Sequence, residues 1–182
     1  MNVEALEKPL PKPTAEDYAT ARLLEALIEA RLALEFLQRG LVRNAAGKAF
    51  QAWRALLASL LRLELDKLAQ IAKTDEEKRR LAEKAVPRVP TTRMKALSQL
   101  LEEIGHANIS AWTSVALNLR EYQYNGPDPD LAASMYRSRE EAAKDVVLLV
   151  AEIAKRAEAL RQRVKWSAEL EEALRALKEQ LK

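Results

Sequence analysis

Between Leu34 and Leu61 the chain reads LEFLQRGLVRNAAGKAFQAWRALLASLL, two runs of helical periodicity with a glycine break between them. The second run alternates small residues (Ala45, Ala46, Ala49, Ala52) with large apolar ones (Phe50, Trp53, Leu56, Leu57, Leu60). It is therefore apolar on more than one side, which predicts a central helix. Gly40 supplies the left-handed stop of the first run, and the short link to Leu41 forces an antiparallel neighbour. The first helix is expected from about Ala15 to Arg39, capped by Thr14 with Asp17 near its positive end, burying Leu24, Leu27, Ile28, Leu34 and Leu37. The second should reach about Lys73. There Thr74-Asp75-Glu76-Glu77 has the form of a capping box opening a short, charged, salt-bridge-laced helix to about Ala85.

Prolines punctuate the rest. Residues 1–13, with Pro9, Pro11 and Pro13, predict an extended lead-in. Val86-Pro87-Arg88-Val89-Pro90 reads as a rigid extended connection, because each proline biases the residue before it away from helix. Thr91 or Thr92 can cap a helix carrying Met94, Leu97, Leu100, Leu101 and Ile104, closed by Gly105. A further helix from Ser110 to Tyr124 would place Trp112, Val115, Leu119 and Tyr122 on one side, before Asn125-Gly126-Pro127-Asp128-Pro129 breaks the chain. Ser138-Arg139-Glu140-Glu141 is the clearest capping box, and it opens the longest helical pattern. Val146, Val150, Ile153, Ala157, Leu160 and Val164 alternate steps of four and three, as a coiled-coil-like seam does. That seam slips at Lys165-Trp166-Ser167, where the helix bends or restarts with Ser167 as cap, and Leu170, Leu174, Leu177 and Leu181 form a new stripe. The organisation expected is a lead-in (1–13), a helical bundle (14–165) and a C-terminal helical extension (166–182), an all-α up-and-down antiparallel bundle of about five to six helices ending in a long one.

Composition narrows the function classes. A hydrophobic content of 48% suffices for a core, and a formal charge of +3 with interspersed signs permits a polyanionic partner without requiring one. Without cysteine, and with His106 alone of its kind, thiolate and histidine-rich metal sites are excluded. The E-x-x-H motif of di-iron bundles is missing, as are both glycine-rich phosphate-binding motifs, so no metal and no cofactor is expected. No apolar run approaches the roughly 18 residues of a membrane span, and the start lacks a signal peptide's apolar stretch, which suggests a cytoplasmic protein with no membrane partner.

Three segments, ARLALEFLQRGLVRNAAGKAFQAWRALL, VPRVPTTRMKALSQLLEEIG and ALNLREYQYNGPDPDLAASMYRSREEAAKDVV, resemble the PaREP family of archaeal paralogous repeat proteins, with the likeness spanning residues 14 to 165. That family is grouped with the HEPN superfamily, named for nucleotide binding. The resemblance implies a HEPN-like bundle that pairs into dimers, with nucleotide or RNA, or a nucleotidyltransferase-type protein, as partner. Active HEPN nucleases share an Arg, four to six variable residues and a His for metal-independent RNA cleavage, chemistry that needs a base near neutral pKa and a cation to steady the phosphorane. Here Arg120-Glu121-Tyr122-Gln123-Tyr124-Asn125 puts an Asn where that His should stand, so no catalytic residue is assigned and the reading is non-enzymatic.

The candidate ligand-binding cluster is Arg120, Tyr122, Tyr124, Asn125, Tyr136 and Arg137, because arginines with aromatics at a helix end can hold phosphates and stack bases. The same tyrosines can equally anchor a long loop. Arg43, Asn44 and Lys48, at the start of the central helix, are secondary anion-binding candidates, set against plain solvated charge. His106 just past a glycine stop reads as a helix C-terminal cap, Arg31 with Glu35 as an ion pair or else as a snorkelling side chain, and Asp128 and Asp130 as turn formers. Two alternatives accompany the binding module: a structural oligomerisation protein pairing through Leu170, Leu174, Leu177 and Leu181, and a weak ribonuclease using Arg120 with nearby tyrosines.

Overall fold

The computed structural model describes residues 3–182 and, among them, contains helices and turns but no strand. After a 3₁₀ turn at Val3–Leu6 come α1 (Tyr18–Gln38), α2 (Val42–Leu63), α3 (Leu65–Ile71) and α4 (Asp75–Arg80). A π-helical turn (Leu81–Ala85), the single turn α5 (Val86–Arg88) and a 3₁₀ turn (Thr91–Arg93) lead into α6 (Met94–Glu103). Then follow α7 (Ile109–Asn125), α8 (Arg139–Ala159) and α9 (Ala168–Gln180).

The apolar character of α2 on several sides has the consequence expected of it. This helix packs against α1, α7 and α8. Its alanines lie fully enclosed while Trp53, Leu56, Leu57, Leu60 and Leu61 fill the spaces between the neighbours. Small residues let the helices approach: a Cβ on Gly47 would stand 2.6–2.8 Å from the Gln123 amide of α7. Trp53 is entirely buried, so its indole N–H needs an acceptor, and Thr113 Oγ1 of α7 provides one at 2.9 Å. The relay continues through Ser98 Oγ, 2.6 Å from Thr113 Oγ1, which donates to the Met94 carbonyl at 2.8 Å. Removing a buried aromatic of this kind costs about 3–5 kcal/mol, so Trp53 is a principal fastener of α2 to the α6–α7 pair.

The capping boxes at Thr74 and Ser138 form: each hydroxyl accepts the backbone N–H three residues on, from Glu77 and Glu141 respectively. The seam of α8 forms over Val146, Val150, Ile153, Ala157 and Leu160, all buried, but Val164 lies beyond the helix end and is half-buried. At its end the helix stops at Ala159 and restarts at Ala168, where Ser167 accepts from Leu170 N. Helix α9 turns back onto α1 and α8, and Leu170, Leu174 and Leu177 are buried there. The stripe offered above as an oligomer contact is therefore covered within the monomer.

Several local expectations need correction. The first helix begins at Tyr18, and Asp17 rather than Thr14 occupies its N-cap position, without a side-chain bond. The lead-in is not wholly extended, since Val3–Leu6 coils into a 3₁₀ turn. The long second helix breaks at Glu64, whose carboxylate meets the distant Arg163 guanidinium and His106 ring. Val86 is helical despite preceding Pro87, because Tyr18 Oη and Arg22 tie down the carbonyls of Val86 and Pro87 at 3.0 and 2.9 Å. The turn ends on Val89, buried and held at φ +40°, a strained conformation for a β-branched residue. Neither threonine caps α6 with its side chain. In α7 the enclosed face is Ile109, Thr113, Ala116, Leu119 and Tyr122, whereas Trp112 and Val115 are half-exposed.

Candidate functional site

The cluster read from the sequence separates into an internal anchor and an exposed edge. Tyr122, on the covered face of α7, is buried and meets Tyr136 edge-on, with ring centroids 5.6 Å apart and planes at 87°. Tyr136 is buried as well, and its hydroxyl donates to Asp145 Oδ2 of α8 at 2.7 Å. Burial raises the phenol pKa of both tyrosines, and for Tyr136 the Asp145 carboxylate pushes the same way, so both stay protonated hydroxyls. Asn125 donates its amide to the Ala133 carbonyl at 2.6 Å, and Arg137 is exposed with its backbone N–H on Glu141 Oε2. Asp128 accepts the backbone N–H groups of Asp130, Ala133 and Ser134, contacts that hold its carboxyl below the usual range. Tyr122, Asn125, Asp128 and Tyr136 thus fasten the loop between α7 and α8 to the bundle.

Arg120 and Tyr124, one turn apart on α7, remain at the surface. The Arg120 guanidinium carbon lies 5.3 Å from the Tyr124 ring centroid and 5.9 Å from that of Phe50 in α2. Arg54, one turn after Phe50, covers the same Phe50 ring at 5.9 Å. Two guanidinium groups from two helices therefore share one phenyl ring, and Tyr124, 62% exposed, borders them. Among the described residues neither Arg54 nor Arg120 has a carboxylate within salt-bridge distance or a hydrogen-bonded side-chain partner. Burial lowers the pKa of Arg54, partly offset by Glu25 on α1, and the neighbouring Arg22 and Arg120 add to the depression. Two cations set against one aromatic ring, with no carboxylate in salt-bridge contact, favour an anionic ligand with a flat face.

Arg54 was missed in the sequence. It follows Phe50 by four residues and so stands over it on the helix, a spacing visible in FQAWR, but the surrounding alanines and leucines mark that stretch as core.

The secondary anion candidates do not converge. Arg43 clamps the C-terminal end of α7, with Nε donating to the Gln123 carbonyl at 2.9 Å and a second guanidinium nitrogen to Tyr124 O at 2.5 Å. Lys48 reaches Glu29 Oε2 on α1 at 2.8 Å, and Asn44 is exposed. Arg43 nonetheless bears on the edge described above, since it fixes the backbone from which Tyr124 projects.

His106 closes the end of α6 with its backbone and adds a contact that the sequence did not suggest. Its backbone N–H closes α6 onto the Leu101 carbonyl, while its ring Nε2 lies 2.9 Å from Glu64 Oε1. The expected Arg31–Glu35 pair does not form, and Arg31 Nε is buried without a partner. Among the described residues, no group of three or more acidic or histidine side chains is arranged to hold a metal ion. No helix there is long and apolar enough to cross a membrane.

Comparison with known proteins gives a match to the archaeal PaREP1/PaREP8 family over residues 21–147, from α1 into α8, which takes in α2, α7 and the Arg54–Phe50–Arg120–Tyr124 edge. No curated protein and no solved structure matches the chain. The matched span takes in the helical hairpin, the proline-punctuated link and the tyrosine-anchored loop, and the chain belongs to the archaeal PaREP1/PaREP8 family.

Proposed function

We propose that the protein is a non-catalytic, HEPN-like helical module that binds a nucleotide or single-stranded RNA at the edge formed by Arg54, Phe50, Arg120 and Tyr124. The observation that carries this reading is the pair of guanidinium groups, neither in a salt bridge among the described residues, set against one phenyl ring next to an exposed tyrosine. A phosphate placed between the arginines replaces their lost hydration with charge-assisted hydrogen bonds, and a base is left free to stack on Tyr124. His106 is bonded to Glu64, and the residue standing at the nuclease-motif position is Asn125, whose amide does not exchange a proton near neutral pH. The role is accordingly recognition and not cleavage.

Fluorescence anisotropy with a short uridine or adenosine oligoribonucleotide, alongside calorimetry with the mononucleotides, tests this. Two phosphate contacts predict a slope of about −1.4 in log affinity against log salt for a single strand. Tyr124→Ala should weaken oligonucleotide binding by roughly fivefold or more, the scale of one lost stacking contact of about 1–3 kcal/mol. Arg54→Ala combined with Arg120→Ala should remove binding. Binding of neither probe, or binding indifferent to that double substitution, overturns the assignment.

A further inference from the structure

Helix α8 buries one seam and presents another to solvent. Glu140, Lys144, Val147, Leu148, Ala151 and Lys155 recur at helical spacing, and all six are exposed. Val147 and Leu148 are 41% and 53% accessible and lie adjacent in the middle of this outer row. They border an open hollow of ≈ 660 Å³ whose other walls include Leu37 of α1, Val42 of α2 and Ala143. Leu41, on the link between α1 and α2, is 45% exposed next to Val42. Isolated surface leucines are ordinary, but an apolar centre flanked by charges on one helix face is the pattern of a protein contact.

The charges say which protein. Glu140 has only a loose neighbour in Arg139 Nε at 3.9 Å, and Lys155 only Glu152 Oε2 at 3.7 Å, so both are available to a partner. A second copy laid antiparallel, with a two-fold axis passing between Val147 and Leu148, sets Val147 against Leu148 and Lys144 against Ala151. It also sets Glu140 against Lys155, twice. A parallel copy would instead oppose Glu140 to Glu140 and Lys155 to Lys155. An isologous interface must be self-complementary, and this row meets that condition in one direction alone.

We infer that the outer face of α8 is the seam of a two-fold homodimer, in which Val147 and Leu148 interlock and Glu140 pairs with Lys155 of the second copy. The inference is independent of nucleotide binding at Arg54 and Arg120, which belong to α2 and α7. Sedimentation equilibrium of the full chain over a wide concentration range tests it. The wild type should dimerise, and Leu148→Glu should be monomeric with an unchanged circular-dichroism melting profile at low concentration, because the side chain is exposed. Glu140→Lys alone and Lys155→Glu alone should each weaken dimerisation on the order of tenfold, since two symmetric ion pairs become two repulsions. The double exchange should restore it. A wild type that stays monomeric at every concentration, or a dimer indifferent to Leu148→Glu, overturns the seam; so does a double exchange no better than its parents, because the antiparallel pairing requires rescue.

Discussion

Replacing Glu64 by Gln tests the polar lock that breaks the long second helix. The Glu64 side chain is 2% exposed, and His106 Nε2, Lys67 Nζ and Arg163 surround it at 2.9, 3.1 and 2.6 Å. Burial alone would raise the pKa of this carboxyl, but the contacts of Arg163 and His106 and the ion pair with Lys67 outweigh it and hold the group at about 2 against an ordinary 4.5. At 1.36 kcal/mol per pKa unit, this difference corresponds to about 3 kcal/mol at neutral pH as an upper figure. Arg163 and Lys67 both reach water, so screening reduces the expected cost of Glu64→Gln to about 2 kcal/mol. For a chain of this length that is a fall in Tm of about 4–8 °C.

The sign follows from the depressed pKa. Unfolded Glu64 takes up its proton first as pH falls, so the carboxylate's contribution is complete above about 4.5 and is lost progressively towards about 2. Urea unfolding of wild type and Glu64→Gln should therefore show a gap at pH 7 that closes as the solution is acidified through that window. A gap that does not change with pH, or no gap at neutral pH, refutes the charged lock and leaves Glu64 an ordinary hydrogen-bonding group.

Thr113→Val keeps the shape of the residue but strips the acceptor from the buried Trp53 indole, and it should cost about 1–3 kcal/mol in urea unfolding; a loss within error would remove this relay from the account of the core. Tyr136→Phe deletes the bond to Asp145 and should lower stability by about 1 kcal/mol while leaving oligonucleotide affinity unchanged in the anisotropy assay, which separates loop anchoring from ligand contact. A marked loss of affinity in that variant would return Tyr136 to the binding edge.

The parts of the fold legible in the sequence were those written in local periodicity. Small and large apolar residues in α2, the four-three seam of α8 and the cap-forming serines each carry their own instruction within a turn or two. The break at Glu64 was not legible because its cause lies in His106 and Arg163, far along the chain. The same holds at Val86, where Tyr18 and Arg22 override the bias of the following proline. For the candidate site, sequence reasoning found Arg120 and Tyr124 but grouped them with Tyr122 and Tyr136, which face inward. A tyrosine has an apolar body and a polar tip, so its spacing alone does not tell a stacking surface from a buried strut. The deciding contacts, edge-on packing of the two rings and the Asp145 bond, exist only once α8 is in place.

The return of α9 onto α1 sets an order of events during synthesis. The hairpin of α1 and α2 can close as soon as residues 18–63 are available, since its partners are neighbours along the chain. The flank of α1 that α9 covers must wait until residues 168–180 have left the ribosome, so the nascent chain carries a bare apolar strip while α3 to α8 are being made. Docking of α9 therefore comes after the α1–α2 hairpin has closed, and until then that strip of α1 is a contact surface open to any other apolar chain.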